Sequence, residues 1–130
     1  MSGETDLSRL LSGMEPVIIG RDWGYASVQG TPPPVAGLFA TVAEAEGLTL
    51  IAPFAALVAA GLTPEGPMAR ITLTVHSALA AVGLTAAVST ALAGAGISAN
   101  MIAGFYHDHI FLAADRADEA LAVLQGLTHD

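Results

Sequence analysis

His107-Asp108-His109 sets two imidazoles either side of a carboxylate, with Tyr106 in front of them. Imidazole and carboxylate are both metal ligands, so the triplet invites a metal reading. In an extended segment, however, His107 and His109 share one face while Asp108 lies on the other, and a third ligand would have to come from elsewhere, such as His76. The competing readings are a solvated hairpin turn or contacts to an effector or a second subunit, and the expectation is that no metal is held. Glu44 and Glu46 have the spacing that points two carboxylates to one side of a strand, but a tight turn interrupts them and both are expected to be solvated. Trp23 follows Arg21-Asp22 and is the only tryptophan; it reads either as a contact surface or as an anchor at the edge of a core.

The sequence contains no Gly-x-Ser-x-Gly elbow, phosphate-binding Walker loop, His-Glu-x-x-His pair or dinucleotide fingerprint in a strand-helix setting. It has no cysteine, which excludes disulfides, thiolate zinc sites and thiol nucleophiles. The protein is therefore expected not to be an enzyme, with no catalytic residues and no cofactor. Four arginines, with no lysine, face twelve Asp and Glu for a formal charge of −8, which repels a phosphate backbone and argues against nucleic acid. Apolar runs are short and broken by Gly, Pro or a charge, so no transmembrane helix is expected. The opening residues lack the basic and apolar regions of a secretory signal, and cytoplasmic residence is expected. At 53% hydrophobic and 12% charged residues, the chain should retain non-polar surface after folding, which a homodimer or higher assembly would cover.

The pattern along the chain is that of an α+β protein. Leu7, Leu10 and Leu11 predict a short helix behind Asp6, stopped by Gly13 and Pro16. Strands are expected over Val17–Ile19 and Tyr25–Val28, then a hairpin whose arms, Leu38–Ala45 and Leu48–Pro53, flank Glu46-Gly47. A short helix over Ala55–Ala60 precedes Thr63-Pro64-Glu65-Gly66-Pro67, the clearest linker. The boundary is set there, giving lobes over residues 1–66 and 67–130. In the second lobe Ile71, Leu73 and Val75 alternate with Arg70, Thr72 and Thr74 as in a half-buried strand. A loop over His76–Gly83 leads to a helix carrying Leu84, Val88 and Leu92 on one face, with small Ala87, Ala91 and Ala95 for close packing, ended by Gly94 and Gly96. Strands over Ile97–Tyr106 and His109–Ala113, joined at His107-Asp108, precede a last helix capped by Asp115. Strand, helix, strand, strand, helix is the ferredoxin-like plan without its final strand, so a strand of the first half is expected to complete that sheet.

The stretch from Ile71 to Ala87, with Val75-His76-Ser77-Ala78-Leu79-Ala80-Ala81-Val82-Gly83-Leu84 at its centre, and the stretch from Ala103 to Phe111 resemble short bacterial ACT-domain proteins. Leu11 to Pro16 and Glu46 to Leu50 extend the resemblance over nearly the whole chain. The resemblance implies a ferredoxin-like ACT fold, two ACT-like lobes sharing an antiparallel sheet with helices on one face. It further implies a regulatory, allosteric module that binds an amino acid or similar small effector at a lobe or subunit interface. The alternative is a structural or oligomerisation domain with no small-molecule ligand.

In the ACT pattern the loop after the first strand meets the ligand, which implies His76, Ser77, Leu79, Val82, Gly83 and Leu84 here. Free backbone N–H groups at a helix start, aided by the dipole, suit a carboxylate, and Gly83 permits close approach. Equally, Gly83 supplies a turn and Ser77 caps local backbone. Asn100 offers an amide to the same ligand or stabilises a turn, and Tyr106, His107 and Asp108 complete the expected binding set.

Overall fold

The computed structural model describes residues 7–74 and 83–128. In chain order the elements are α1 (Leu7–Ser12), β1 (Pro16–Ile18), β2 (Trp23–Val28), β3 (Ala40–Glu44), β4 (Gly47–Pro53), α2 (Phe54–Ala59), β5 (Glu65–Leu73), α3 (Gly83–Gly94), β6 (Asn100–Ala103), β7 (Asp108–Ala113) and α4 (Ala117–Leu127), with a single 3-10 turn at Ala114–Arg116. They divide into two compact units, one of residues 21–68 and the other of residues 1–20 with 69–130. Strand β5 supplies Glu65–Met68 to the first and Ala69–Leu73 to the second.

Within the larger unit the strand order is β1-β5-β7-β6. Counted from β5, this is the ferredoxin-like arrangement, with β1 in the edge position that a strand after α4 would otherwise fill. The expected loan of a strand from the first half is thus made by β1. Its antiparallel register with β5 pairs Pro16 with Leu73 and Ile18 with Ile71. The Ile19 N–H donates to the Arg70 carbonyl at 2.7 Å, the Arg70 N–H to Gly20 at 3.1 Å and the Thr74 N–H to Met14 at 3.0 Å, prolonging the ladder at both ends.

The alternation read in β5 decides what fills the core. Ala69, Ile71 and Leu73 point inward, where Ile110 and Leu112 of β7, Leu84, Val88 and Leu92 of α3, and Ala117, Ala120 and Leu124 of α4 meet them. Leu10 and Met14 are fully buried in the same core. Each contributes about 2 kcal/mol by leaving water, which ties residues 7–20 to this unit.

Helix α3 ends as a Schellman motif. The Ile97 N–H donates to the Leu92 carbonyl at 2.9 Å, the Gly96 N–H donates to Ala93 at 2.9 Å, and Gly96 takes φ +73°, where a side chain would be strained. The Arg116 guanidinium donates to the carbonyls of Ala95 at 3.1 Å and Gly96 at 3.3 Å, placing a cation on the negative end of the helix. Ile97 is therefore spent on the helix terminus, and the long strand expected over Ile97–Tyr106 contracts to Asn100–Ala103. Asp115 lies in the 3-10 turn, and no side chain caps α4.

The smaller unit has the order β3-β4-β2-β5, again ferredoxin-like when counted from β2. The crossover from β2 to β3 is not a helix, because Pro32-Pro33-Pro34 removes the amide donors and fixes φ away from a continuous turn. The β3–β4 hairpin turns at Ala45-Glu46, with Glu44 paired to Gly47. A Cβ on Gly47 would lie 2.8 Å from the Val28 carbonyl, so no other residue fits there. The core consists of Ala26, Val28, Leu50, Ala52 and Leu57. Trp23 is half-buried and meets Phe39 edge-to-face at 6.0 Å, the core-edge role.

The segment expected as a linker is partly strand. Glu65 pairs with Tyr25 and Met68 with Trp23, so Gly66-Pro67 forms a bulge opposite the single residue Gly24. A bulge accepts a proline that cannot donate to the ladder, and a Cβ on Gly66 would lie 2.8 Å from the Trp23 carbonyl. Met14→Ala is expected to destabilise the protein by about 2–5 kcal/mol. Chemical denaturation should show a lower midpoint, whereas an unchanged midpoint would mean that Met14 does not belong to the core.

Candidate functional site

Strand β5 presents Arg70 and Thr72 on the face turned away from the core of the larger unit, and β7 presents His109 beside them. The Thr72 hydroxyl lies 3.0 Å from His109 Nδ1 and the Arg70 guanidinium 3.5 Å from the same nitrogen. A guanidinium can only donate. Nδ1 therefore acts as the acceptor, which requires a neutral imidazole with its proton on Nε2. The surroundings favour that state. Burial lowers the His109 pKa below its ordinary value near 6.5, electrostatic effects of Arg70 and then of the neighbouring His107 ring act in the same direction, and Asp108 opposes them. Burial also lowers the Arg70 pKa, although a guanidinium remains charged at physiological pH.

The expected binding residues fall in three places. His76, Ser77, Leu79 and Val82 lie outside the described residues. Gly83 and Leu84 begin α3. Gly83 has an ordinary helical backbone, and a Cβ there would lie 3.2 Å from the Leu7 side chain, so its small size serves the packing of α1 on α3. The Leu84 side chain is buried in the core. The remaining residues are on the β6–β7 hairpin. Asn100 pairs with Phe111 and donates its amide to the Phe111 carbonyl at 3.3 Å, so it pins the hairpin at the end remote from the turn.

The turn itself is Gly104-Phe105-Tyr106-His107, closed by the Gly104 N–H donating to the His107 carbonyl at 2.8 Å. It is shifted from the His107-Asp108 turn read in the sequence. A Cβ on Gly104 would lie 2.7 Å from that carbonyl, which only glycine avoids. Phe105 and Tyr106 stand at the tip, 61% and 60% exposed, stacked edge-to-face at 4.9 Å. Asp108 is the first residue of β7 and is buried. His107 Nδ1 is buried without a hydrogen-bond partner. Among the described residues no three His, Asp or Glu side chains come together as a metal would need.

Arg70 and Thr72 were visible in the sequence only as the polar half of an alternating strand. Their meeting with His109 depends on the adjacency of β5 and β7, which no local pattern encodes. Pairing each polar β5 residue with the outward positions of the neighbouring strand would have found it.

Two ferredoxin-like α+β units in one chain, sharing β5 and carrying no recognisable catalytic constellation among the described residues, define a tandem module. Models of the ACT domain match residues 2–69 and 69–126, and the chain belongs to the ACT-domain family. It has the ferredoxin-like ACT fold. A Vibrio cholerae protein of unknown function, described as a possible transport protein, is 42% identical over 95% of this chain and 96% of its own, with a TM-score of 0.80. An Agrobacterium tumefaciens protein is similar at 14% identity, with 88% of this chain and 89% of its own covered and a TM-score of 0.71. The ligand-free regulatory subunit of aspartate kinase from Thermus thermophilus is 14% identical, with 88% of this chain and 97% of its own covered and a TM-score of 0.63. No curated protein matches the chain. Among the described residues no helix is long and apolar enough to cross a membrane.

Because folding lowers the His109 pKa, the stability linked to its neutral form is complete above about pH 6.5 and is lost as pH falls below that value. Thermal unfolding should therefore weaken more steeply with acid in the wild type than in His109→Gln. Equal slopes between about pH 7 and 5 would contradict a neutral, half-buried imidazole.

Proposed function

We propose that the protein is a non-catalytic regulatory module of the cytoplasm that binds an amino acid or similar small effector. The binding region is the segment after β5 and the start of α3, with His76, Ser77, Leu79, Val82 and Gly83 as its sequence-derived members. Asn100, Tyr106, His107 and Asp108 are retained as candidates on the hairpin, and the Leu84 backbone as part of the helix start.

The observation that carries this reading is the Arg70–Thr72–His109 group. In the sequence, residues 75–82 follow shortly after the end of β5 at Leu73. Arg70 supplies a fixed positive charge, Thr72 a hydroxyl and His109 a neutral ring, a combination suited to a carboxylate-bearing molecule. Family membership supports the same reading, and the regulatory subunit of aspartate kinase offers a precedent for the fold in regulation. The two family matches also support a division into two ACT-like lobes near residue 66.

A homodimer or higher assembly belongs to the proposal. Helix α3 has no charged residue, and Gly83, Ala86, Ala87, Thr90 and Ala91, with Leu7 and Leu127, line an apolar concavity of about 490 Å³. On a chain of charge −8, such an uncharged face lets two copies approach with least repulsion. The same face favours the second reading, a structural or oligomerisation domain whose only binding event is assembly.

Thermal unfolding against the amino acids and common nucleotides separates the two readings. A true effector at about 100 times its dissociation constant should add about 2.7 kcal/mol of stability. Arg70→Met should reduce that gain for a carboxylate ligand, and no response to any compound would favour assembly alone.

A further inference from the structure

The smaller unit contains a polar concavity of its own. It has a volume of about 350 Å³ and is lined by Tyr25, Ala26 and Ser27 of β2, Thr49 of β4, and Thr63 and Glu65. The register explains its composition. Tyr25 pairs with Glu65, and Ser27 with Thr49, so these four side chains share the sheet face opposite Ala26, Val28 and Leu50. Strand β5 starts at Glu65, so beyond Tyr25 the outer edge of β2 has no ladder partner from β5. Ala26 has its side chain in the core, so it can line the concavity only through its backbone.

The lining has a definite chemical bias. Tyr25, Ser27, Thr49 and Thr63 bring hydroxyls, Glu65 brings a carboxylate, and no cation lines the wall among the described residues. Thr49 donates its hydroxyl hydrogen to Glu44 Oε1 at 2.5 Å, which leaves its oxygen as an acceptor towards the concavity. Hydroxyl acceptors, a carboxylate and an aromatic wall suit a ligand rich in O–H and N–H donors with a positive end, and disfavour an anion. The volume falls at the small end of ordinary ligand pockets.

We propose that this concavity is a binding site for a small polyhydroxylated primary amine of amino-sugar type, with Glu65 holding the ammonium group and Ser27, Thr49 and Thr63 the hydroxyls. The site lies wholly within the smaller unit, and it extends the regulatory reading, on which it builds, to a second ligand class.

The test is a nuclear magnetic resonance titration of the full-length protein with D-glucosamine and, separately, D-glucose, which has a hydroxyl where glucosamine carries its amine. Glucosamine should shift the amide resonances of Ser27, Thr49, Thr63 and Glu65 saturably, at an affinity about tenfold above that of glucose, the ratio worth one strong polar contact. Glu65 is exposed, so Glu65→Gln should fold normally and erase the difference between the sugars. Equal affinities in the wild type, shifts centred elsewhere, or no saturable shift with glucosamine would each overturn the proposal.

Discussion

The alternation of side chains along β5 is the constraint on which the larger unit depends. Ala69, Ile71 and Leu73 fill its core while Arg70 and Thr72 reach the other face and meet His109. A slip of one residue would exchange the two sets, burying a guanidinium in an apolar core and exposing the aliphatic residues. The β1 register and the backbone bonds from Ile19, Arg70 and Thr74 hold the strand against that slip. One set of pairings therefore determines both the packing and the position of the polar group, and neutral His109 is the form that accepts from two donors.

Much of the fold was legible in the sequence because its signals are local. The β5 alternation, the Leu84-Val88-Leu92 face, the helix-ending glycines and the proline run each constrain only a few adjacent residues, and the family resemblance joined them into an ACT fold. Three features of the strands and their connections were misread for physical reasons. Thr63–Pro67 has linker chemistry but enters a strand, because a bulge accommodates Gly66-Pro67. Ile97 looked like the start of a strand but closes the Schellman motif. The hairpin turns at Phe105-Tyr106 because Gly104 can approach the His107 carbonyl. The polar group on β5 was the least legible, since Arg70 and His109 lie far apart in the chain and meet only through strand adjacency.

The family boundaries and the packing divide the chain differently. Residues 7–20 fall within the first ACT-domain match, yet α1 and β1 pack with the second unit and give it Leu10, Met14 and an edge strand. The β5 bulge at Gly66-Pro67 stays with the smaller unit in both divisions. A cut between the two family matches would leave the larger unit without α1 and β1, a physical reason for the tandem arrangement to persist in one polypeptide.

The central claim is that this arrangement exists to recognise a small effector. Native mass spectrometry of the protein, purified with no added ligand and sprayed from a volatile neutral buffer, reads it most directly. The account predicts a dimer or larger assembly carrying a discrete small-molecule adduct in simple proportion to subunits, lost on gentle activation. A bare monomer, to which none of the amino acids binds when added back, would contradict it.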